Sequence, residues 1–554
     1  MYELTFRFEN NDAPVSVGVT GEETVLETAQ STNVPIDAPC SGNGACGKCR
    51  VKLVSGEVSA LPNACLPDGW YLACGIRPCA DVTVLVPDIA TAYRSQMKTA
   101  DLSTPDQLAA FEALLKKNHL TGILPIAAAA PYALAIDIGT TTVCAVLFAL
   151  QSGKLLAKGS CGNAQIRYGA DVIHRIIEQG RPDGRRRLRD AIVKETLVPL
   201  INTLCKEANL SGGQIGRVGI VGNPTMNHLL LGVDADCIRT EPYSPAFYRR
   251  DGLTAADLEL PVRSDAPVCL APNVGSFVGG DITAGVFAAM LRDSDELSLF
   301  IDLGTNGEIV FGNRDFLIAC ACSAGPAFEG GDISCGMRAT DGAVEAVSID
   351  EDTMRPTLTV IGAQKPVGIC GSGLIDLVSE LFRCGIINAK GRFIREGERI
   401  AYDRHGTGRY LLAAAAESAT GREISLNEVD ILNFIRAKGA IYAAIDTVLS
   451  ALDMDESAIA RVYVAGGIGS GIDLKNAVRI GMLPNVPAEC FRYVGNTALA
   501  GAYAMALSPE AERIIDEIAR SMTYLELSTH PGYMDQFIAA CFLPHTDAGR
   551  FQAR

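Results

Sequence analysis

Three cysteines, Cys40, Cys46 and Cys49, stand among glycines in "PCSGNGACGKC". Thiols so closely spaced can form a disulfide staple, bind zinc, hold an iron–sulfur cluster, or merely share a turn of small residues. The C-x5-C-x2-C spacing offers one C-x2-C pair, where a zinc ribbon uses two. A [2Fe–2S] cluster takes four thiolates, and a wrapping loop that supplies three leaves one to arrive from elsewhere. Glycines at 42, 44 and 47 leave backbone N–H groups free to face sulfur, which spreads negative charge. The fourth ligand must come from Cys65, Cys74 or Cys79. We select Cys74, which follows the apolar run of "GWYLACGIRPCADVTVLVP" and precedes a strand; Cys79 is its main rival.

A second chemistry is written twice. "LAIDIGTTTVCAVLF" and "LFIDLGTNGEIVFGN" each read as a buried strand, an Asp-x-Gly-Thr turn and a second apolar strand, about 165 residues apart. Two such hairpins facing each other can hold polyphosphate. Glycine admits the backbone, threonine hydroxyls and N–H groups cradle oxygens, and the aspartates organise Mg²⁺ through water. A third glycine turn, "VYVAGGIGSGID", leads from a strand towards a helix and can seat an adenine ring against backbone. "VGGDITAG" and "GICGSGLIDL" are further strand-to-helix junctions of the same composition.

These residues need several domains to position them. At 554 residues the chain exceeds one ordinary core. Its formal net charge of −16 argues against nucleic acid or an anionic membrane as partner. The start "MYELTFRFENND" lacks the basic-then-apolar form of a secretory signal, and "ILPIAAAAPYALAIDIG" is too short and too broken by proline to span a bilayer. A cytoplasmic location is therefore expected, where thiols stay reduced and a thiol cluster points to metal. Residues 1–90 read as short strands and turns with 5 Lys/Arg against 11 Asp/Glu. Residues 91–131, with "STPDQLAAFEALLKKN", read as a linker with one helix. From there strands and long helices alternate, as in α/β architecture. Division at 132–295 and 296–554, the latter with a C-terminal extension, separates the two hairpins.

The N-terminal unit resembles plant- and adrenodoxin-type [2Fe–2S] ferredoxins, with an adrenodoxin-like loop, which implies an α+β β-grasp fold. The remainder resembles the actin-like (ASKHA) ATPase superfamily of sugar kinases, heat-shock ATPases and acetate kinases, which implies a duplicated α/β fold. That resemblance places Asp137, Gly139, Thr140, Thr141 and Thr142 in a first phosphate loop, and Asp302, Gly304, Thr305 and Asn306 in a second. Gly466, Gly467 and Gly469 become the adenosine loop, with Asp281 assisting metal or water. Together with "VGNPTMNHLLLG", "CSAGPAFEGGDISCGMRA", "VGNTALAGA" and "YLELSTHPGYMDQFIAACFLPH", the whole is similar to the reductive activators of corrinoid proteins in anaerobic methyl-transfer pathways. The resemblance implies ATP, Mg²⁺ and a [2Fe–2S] cluster on Cys40, Cys46, Cys49 and Cys74. It also implies a corrinoid protein partner reduced from Co(II) to Co(I), an upstream ferredoxin or other reductant, and a homodimer in some members. Ser323 is a candidate weak axial oxygen ligand to the partner's cobalt, or a cap for "AGPAFEGG". An ATP-driven electron donor to another enzyme, and an actin-like small-molecule kinase with a regulatory cluster, are the alternative readings. His228 reads as an internally hydrogen-bonded histidine, and "GRRRLRD" as a solvated helix face or a landing site for an acidic ferredoxin.

Overall fold

The computed structural model describes residues 2–9, 13–32, 34, 36, 38, 49–61, 64–87, 129–169, 171–304, 306–467 and 471–551. Cys40, Cys46, Thr305, Gly469 and the expected linker helix lie outside the described residues.

The N-terminal unit is a β-grasp. Strand Tyr2–Phe8 alternates exposed and buried side chains and pairs antiparallel with Val15–Val19 and parallel with Val82–Val86. Arg50–Ser55 joins antiparallel on the far side of Val82–Val86, and Trp70–Leu72 completes the five-stranded sheet. Helix Val25–Ser31 begins with a capping box between Thr24 and Glu27 and buries Val25, Leu26 and Ala29 against this sheet's core. Cys49 belongs to the same core, with Cys74 packed against it.

The two hairpins are the first elements of two sheets with one topology. In the first sheet, Tyr132–Ile138, Thr142–Ala149 and Leu155–Gly162 run antiparallel as strands one, two and three. Strand four, Ile215–Gly222, pairs parallel with strand one, and strand five, Pro267–Leu270, pairs parallel with strand four. The order is thus 3-2-1-4-5, with a short antiparallel edge at Leu253–Thr254. The second sheet repeats it with Ser298–Leu303, Gly307–Gly312, Leu317–Cys322, Arg461–Ala465 and Phe491–Gly495. Its edge is closed by Met522–Tyr524, parallel to the third strand. Strands one are near-continuous apolar runs because both of their faces are covered. The duplication read in the hairpins therefore extends through five strands of each half.

The halves meet through the helices that follow each fifth strand, Gly280–Ala289 and Thr497–Leu507. Glycine lets their backbones approach: a Cβ on Gly501 would lie 2.5 Å from both the Cβ and the carbonyl oxygen of Ala284. Likewise a Cβ on Gly219 would lie 2.4 Å from the Ala502 carbonyl, so the second half's helix seats directly on the first half's sheet. One buried cluster accordingly mixes Ala133, Val146 and Ile282 with Phe300, Ala498 and Tyr503. Helix Pro509–Ser521 extends this seam with the ion pairs Arg217–Glu512 (2.7 Å), Arg249–Asp516 (2.6 Å) and Arg292–Glu517 (2.7 Å).

Candidate functional site

The cysteine loop begins outside the described residues and ends at Cys49, which is buried. The Ala73 N–H donates to the Cys49 carbonyl at 2.7 Å, which brings the neighbouring Cys74 beside the end of the loop. Cys79 continues a different strand pair, its N–H bonded to the Glu57 carbonyl, and its thiol is exposed beside its own chain at the Arg77 carbonyl. Cys65 is also exposed, near the Leu61 carbonyl. Cys74, half-buried, thus follows the turn that bonds to the end of the loop, while Cys65 and Cys79 are exposed. Thiols on a loop end and an adjacent turn, against an apolar core, are a donor set that fits an iron–sulfur cluster.

The second site forms where the two first strands end. In the first half Asp137 stands opposite Cys144 and beside Val221; in the second, Asp302 stands opposite Glu308 and beside Ala465. The crossing helices then exchange partners. Asn496 caps the second half's helix and donates from Nδ2 to Asp137 of the first half at 2.9 Å. Asp281, in the first turn of the first half's helix, has Asp302 of the second half as its strongest charged neighbour. Gly279, just before this helix, packs on the first half's own fourth-strand loop: a Cβ there would lie 2.8 Å from the Asn223 Cα.

Four carboxylates thus share one cleft. Asp137, Asp281 and Asp302 each keep a narrow face open and are enclosed elsewhere, and Glu308 is buried. Enclosure pushes Asp137 up to about 6, against the hydrogen bond from Asn496 that favours its ionised form. Asp302 rises to about 7 through burial and the Asp137 charge. Asp281 rises to about 8 through burial and the charges of Asp302 and Asp137. Glu308 is driven well above the carboxylate range by burial, then by Asp281 and Asp302, with Asn306 hydrogen-bonding to it in partial compensation. Such a group is short of positive charge. Among the described residues no three carboxylate, cysteine or histidine side chains converge closely enough to coordinate a metal directly. A hydrated cation held through water would relieve the repulsion.

Around this floor lie the loops that would meet phosphate. Gly139 closes the first hairpin, its N–H bonded to the Thr142 carbonyl at 3.0 Å, where a Cβ would stand 2.4 Å from that oxygen. Its own carbonyl accepts from Asn163 Nδ2 at 3.0 Å, and the Thr140 hydroxyl accepts from Asn223 Nδ2 at 2.9 Å. Thr141 Oγ1 donates across to Glu329 Oε2 of the second half at 2.9 Å. In the second hairpin the Gly304 N–H bonds to the Asn306 carbonyl at 3.0 Å. Gly466 adopts φ +89°, and a Cβ there would lie 2.5 Å from Asp302 Oδ1. This glycine turn thus sits directly against the carboxylate floor, followed by half-buried Gly467. Gly471 abuts Ser372 at the start of helix Gly371–Arg383, the helix that "GICGSG" leads into.

Ser323 is exposed and follows the third strand of the second half, Leu317–Cys322, rather than the hairpin itself. His228 lies inside helix Pro224–Leu231. Its Nδ1 bonds to the Pro224 carbonyl, its Nε2 accepts from the Ala246 N–H, and its ring stacks on Phe247. All four arginines of "GRRRLRD" face acids: Arg185 Asp234, Arg186 Asp183, Arg187 Glu178 and Arg189 Glu259. That is a compensated helix face.

Comparison with known proteins decides the family. Residues 296–554 match the C-terminal domain of RACo, the ASKHA domain, and residues 132–294 match the RACo middle region. Residues 8–79 match the 2Fe-2S iron-sulfur cluster binding domain. The chain is 30% identical to the corrinoid activation enzyme RamQ of Eubacterium limosum over 94% of its own length and 96% of that protein's. The chain belongs to the RACo family. A solved structure of the reductive activator for corrinoid, iron-sulfur protein is similar over 100% of both chains, at 36% identity and a TM-score of 0.71. The [Co(II) methylated amine-specific corrinoid protein] reductase of Methanosarcina barkeri is 23% identical over 60% of this chain and 63% of its own. The β-grasp unit carries the cluster-binding match, and the RACo middle region and the ASKHA domain follow it along the chain. The sequence reading missed Glu308, Glu329, Asn163, Asn223 and Asn496. Two signals were available. Glu308 is the second-hairpin residue paired opposite Asp302, and "VGN" recurs in "VGNPTMN" and "VGNTALAGA", each leading into a helix.

Proposed function

We propose that this protein uses ATP hydrolysis to drive the one-electron reduction of a corrinoid protein from inactive Co(II) to Co(I), in anaerobic methyl-transfer metabolism in the cytoplasm. The observation that carries the reading is the union of two sites in one chain. A thiolate-bearing β-grasp unit precedes a duplicated cleft floored by four carboxylates, in a chain matched nearly end to end by a corrinoid activation enzyme. No helix among the described residues is long and apolar enough to cross a membrane.

In this reading Cys40, Cys46, Cys49 and Cys74 hold a [2Fe–2S] cluster, which supplies single-electron transfer when bound. An upstream ferredoxin or other reductant feeds it. Gly139, Thr140, Thr141, Thr142, Gly304, Thr305 and Asn306 bind the phosphates, and Gly466, Gly467 and Gly469 seat the adenosine. Asp137, Asp281 and Asp302 position hydrated Mg²⁺. Asn496 fixes the Asp137 carboxylate, so a shift of the crossing helices moves a phosphate-side group in the opposite half. That is the coupling such a machine needs: ATP biases two conformations that differ in affinity for the partner's Co(II) form. Exposed Ser323 offers its hydroxyl to the partner's cobalt. One electron driven uphill by roughly 200 mV costs about 5 kcal/mol, within reach of one ATP.

The test is anaerobic reduction of candidate corrinoid proteins, read as growth of the Co(I) absorbance with reductant and ATP. Reduction that needs both ATP and the cluster supports the reading. Phosphorylation of a sugar or small acid, with no cobalt reduced, would replace it with the kinase reading.

A further inference from the structure

The Thr141–Glu329 hydrogen bond joins the two halves across the cleft, and its two ends are built differently. Thr141 lies on the first hairpin loop, buried to 8% exposure. Glu329 closes the short turn Pro326–Glu329 of the second half, whose backbone is gripped on several sides. The Gly331 N–H bonds to the Pro326 carbonyl at 2.8 Å and the Gly330 N–H to the Ala327 carbonyl at 3.1 Å. Gly371 lets the Phe328 carbonyl so close that a Cβ would lie 2.2 Å from it, and the Phe328 ring meets Phe434 of helix Glu428–Ser450 edge-on at 5.6 Å. A carboxylate is therefore carried on a fixed frame to the hydroxyl of the opposite phosphate-side loop.

We propose that Glu329 is the general base of ATP hydrolysis, a role that rests on the nucleotide reading above. One lone pair of Glu329 Oε2 accepts from the Thr141 hydroxyl. With triphosphate present, that hydroxyl turns to a phosphate oxygen and the carboxylate takes a water instead. The water oxygen bonds to the γ-phosphorus, and the bond from that phosphorus to the β,γ-bridging oxygen breaks. Its electron pair leaves with ADP, and the water's proton passes to Glu329 and then to solvent. The floor acids are poor rivals, since Mg²⁺ needs them as charge.

Glu329→Gln in the full chain tests this, because the amide oxygen still accepts from Thr141 while the basic site is gone. We expect kcat for Mg²⁺-ATP hydrolysis to fall about 100-fold or more. ATP affinity should hold within about threefold, and label in the γ-position should be recovered from the protein as intact ATP. Hydrolysis by Glu329→Gln within about threefold of the parent would overturn the assignment and leave the nucleotide reading standing. Loss of ATP binding in Glu329→Gln would assign the residue to binding instead and overturn it too. A parent that neither binds nor hydrolyses ATP would sink both.

Discussion

Replacing Asp281 by asparagine should make the empty protein more stable while removing ATP turnover. Asp281 sits in the first turn of a helix, where an acid is ordinarily favoured, yet its carboxyl is raised to about 8 by burial and by Asp302 and Asp137. The sign follows from the direction of the shift. A carboxyl held higher in the folded protein than in the unfolded chain contributes its stability at low pH. It loses that contribution as pH rises from about 4, the unfolded value, through about 8. At pH 8 the full shift corresponds to about 5 kcal/mol, and at pH 5 to under about 2 kcal/mol. Because one face of the side chain meets water in the cleft, roughly a third to a half of this survives. Asparagine should therefore stabilise the cleft by about 2 kcal/mol at pH 8 and by well under about 1 kcal/mol at pH 5. Calorimetry of the nucleotide-free protein should show the ATPase transition rising several degrees at pH 8 and little at pH 5. An equal gain at both pH values, or a loss at pH 8, would refute the claim that the floor is self-repelling.

The cluster ligands can be separated by colour. Cys74→Ser should bleach the visible spectrum of anaerobically purified protein, whereas Cys79→Ser and Cys65→Ser should leave it; the reverse for Cys79 would mean that the fourth ligand is misplaced. Gly466→Ala forces a side chain into a left-handed backbone position and within 2.5 Å of Asp302 Oδ1, so ATP affinity measured by calorimetry should drop at least tenfold, by about 1.4 kcal/mol or more. Gly501→Val pushes apart the two crossing helices, and it should cost about 1–3 kcal/mol of stability in denaturant melts while the cluster spectrum is unchanged.

Much of this could be read from the chain because the chemistry is local there. The hairpin aspartates, their glycines and the cysteine loop are each set within about a dozen consecutive residues, and a short range suffices to recognise them. The strand topology was legible only as a repeat, since the 3-2-1-4-5 order depends on which apolar runs pair. What stayed hidden are groups brought in by long-range packing. Asn496 reaches Asp137 across 359 positions, and Glu329 reaches Thr141 across 188. Their neighbours in sequence give each only the look of a cap: Asn496 does cap its helix, donating from its side-chain amide to Asp137 while its side-chain oxygen holds the Leu499 N–H. One asparagine thus serves both ends.

That double use explains why the two halves cannot be understood separately. Each half builds its own Asp on its own first strand, but the group facing that Asp arrives on a helix from the opposite half. One of the exchanged positions is neutral and donates a hydrogen bond; the other, Asp281, is an acid that repels. The asymmetry leaves Asp137 the least raised of the three aspartates, at about 6, and concentrates the repulsion around Asp281 and Asp302. A cation entering the cleft therefore gains most on the Asp281–Asp302 side, where a first-half helix faces a second-half strand.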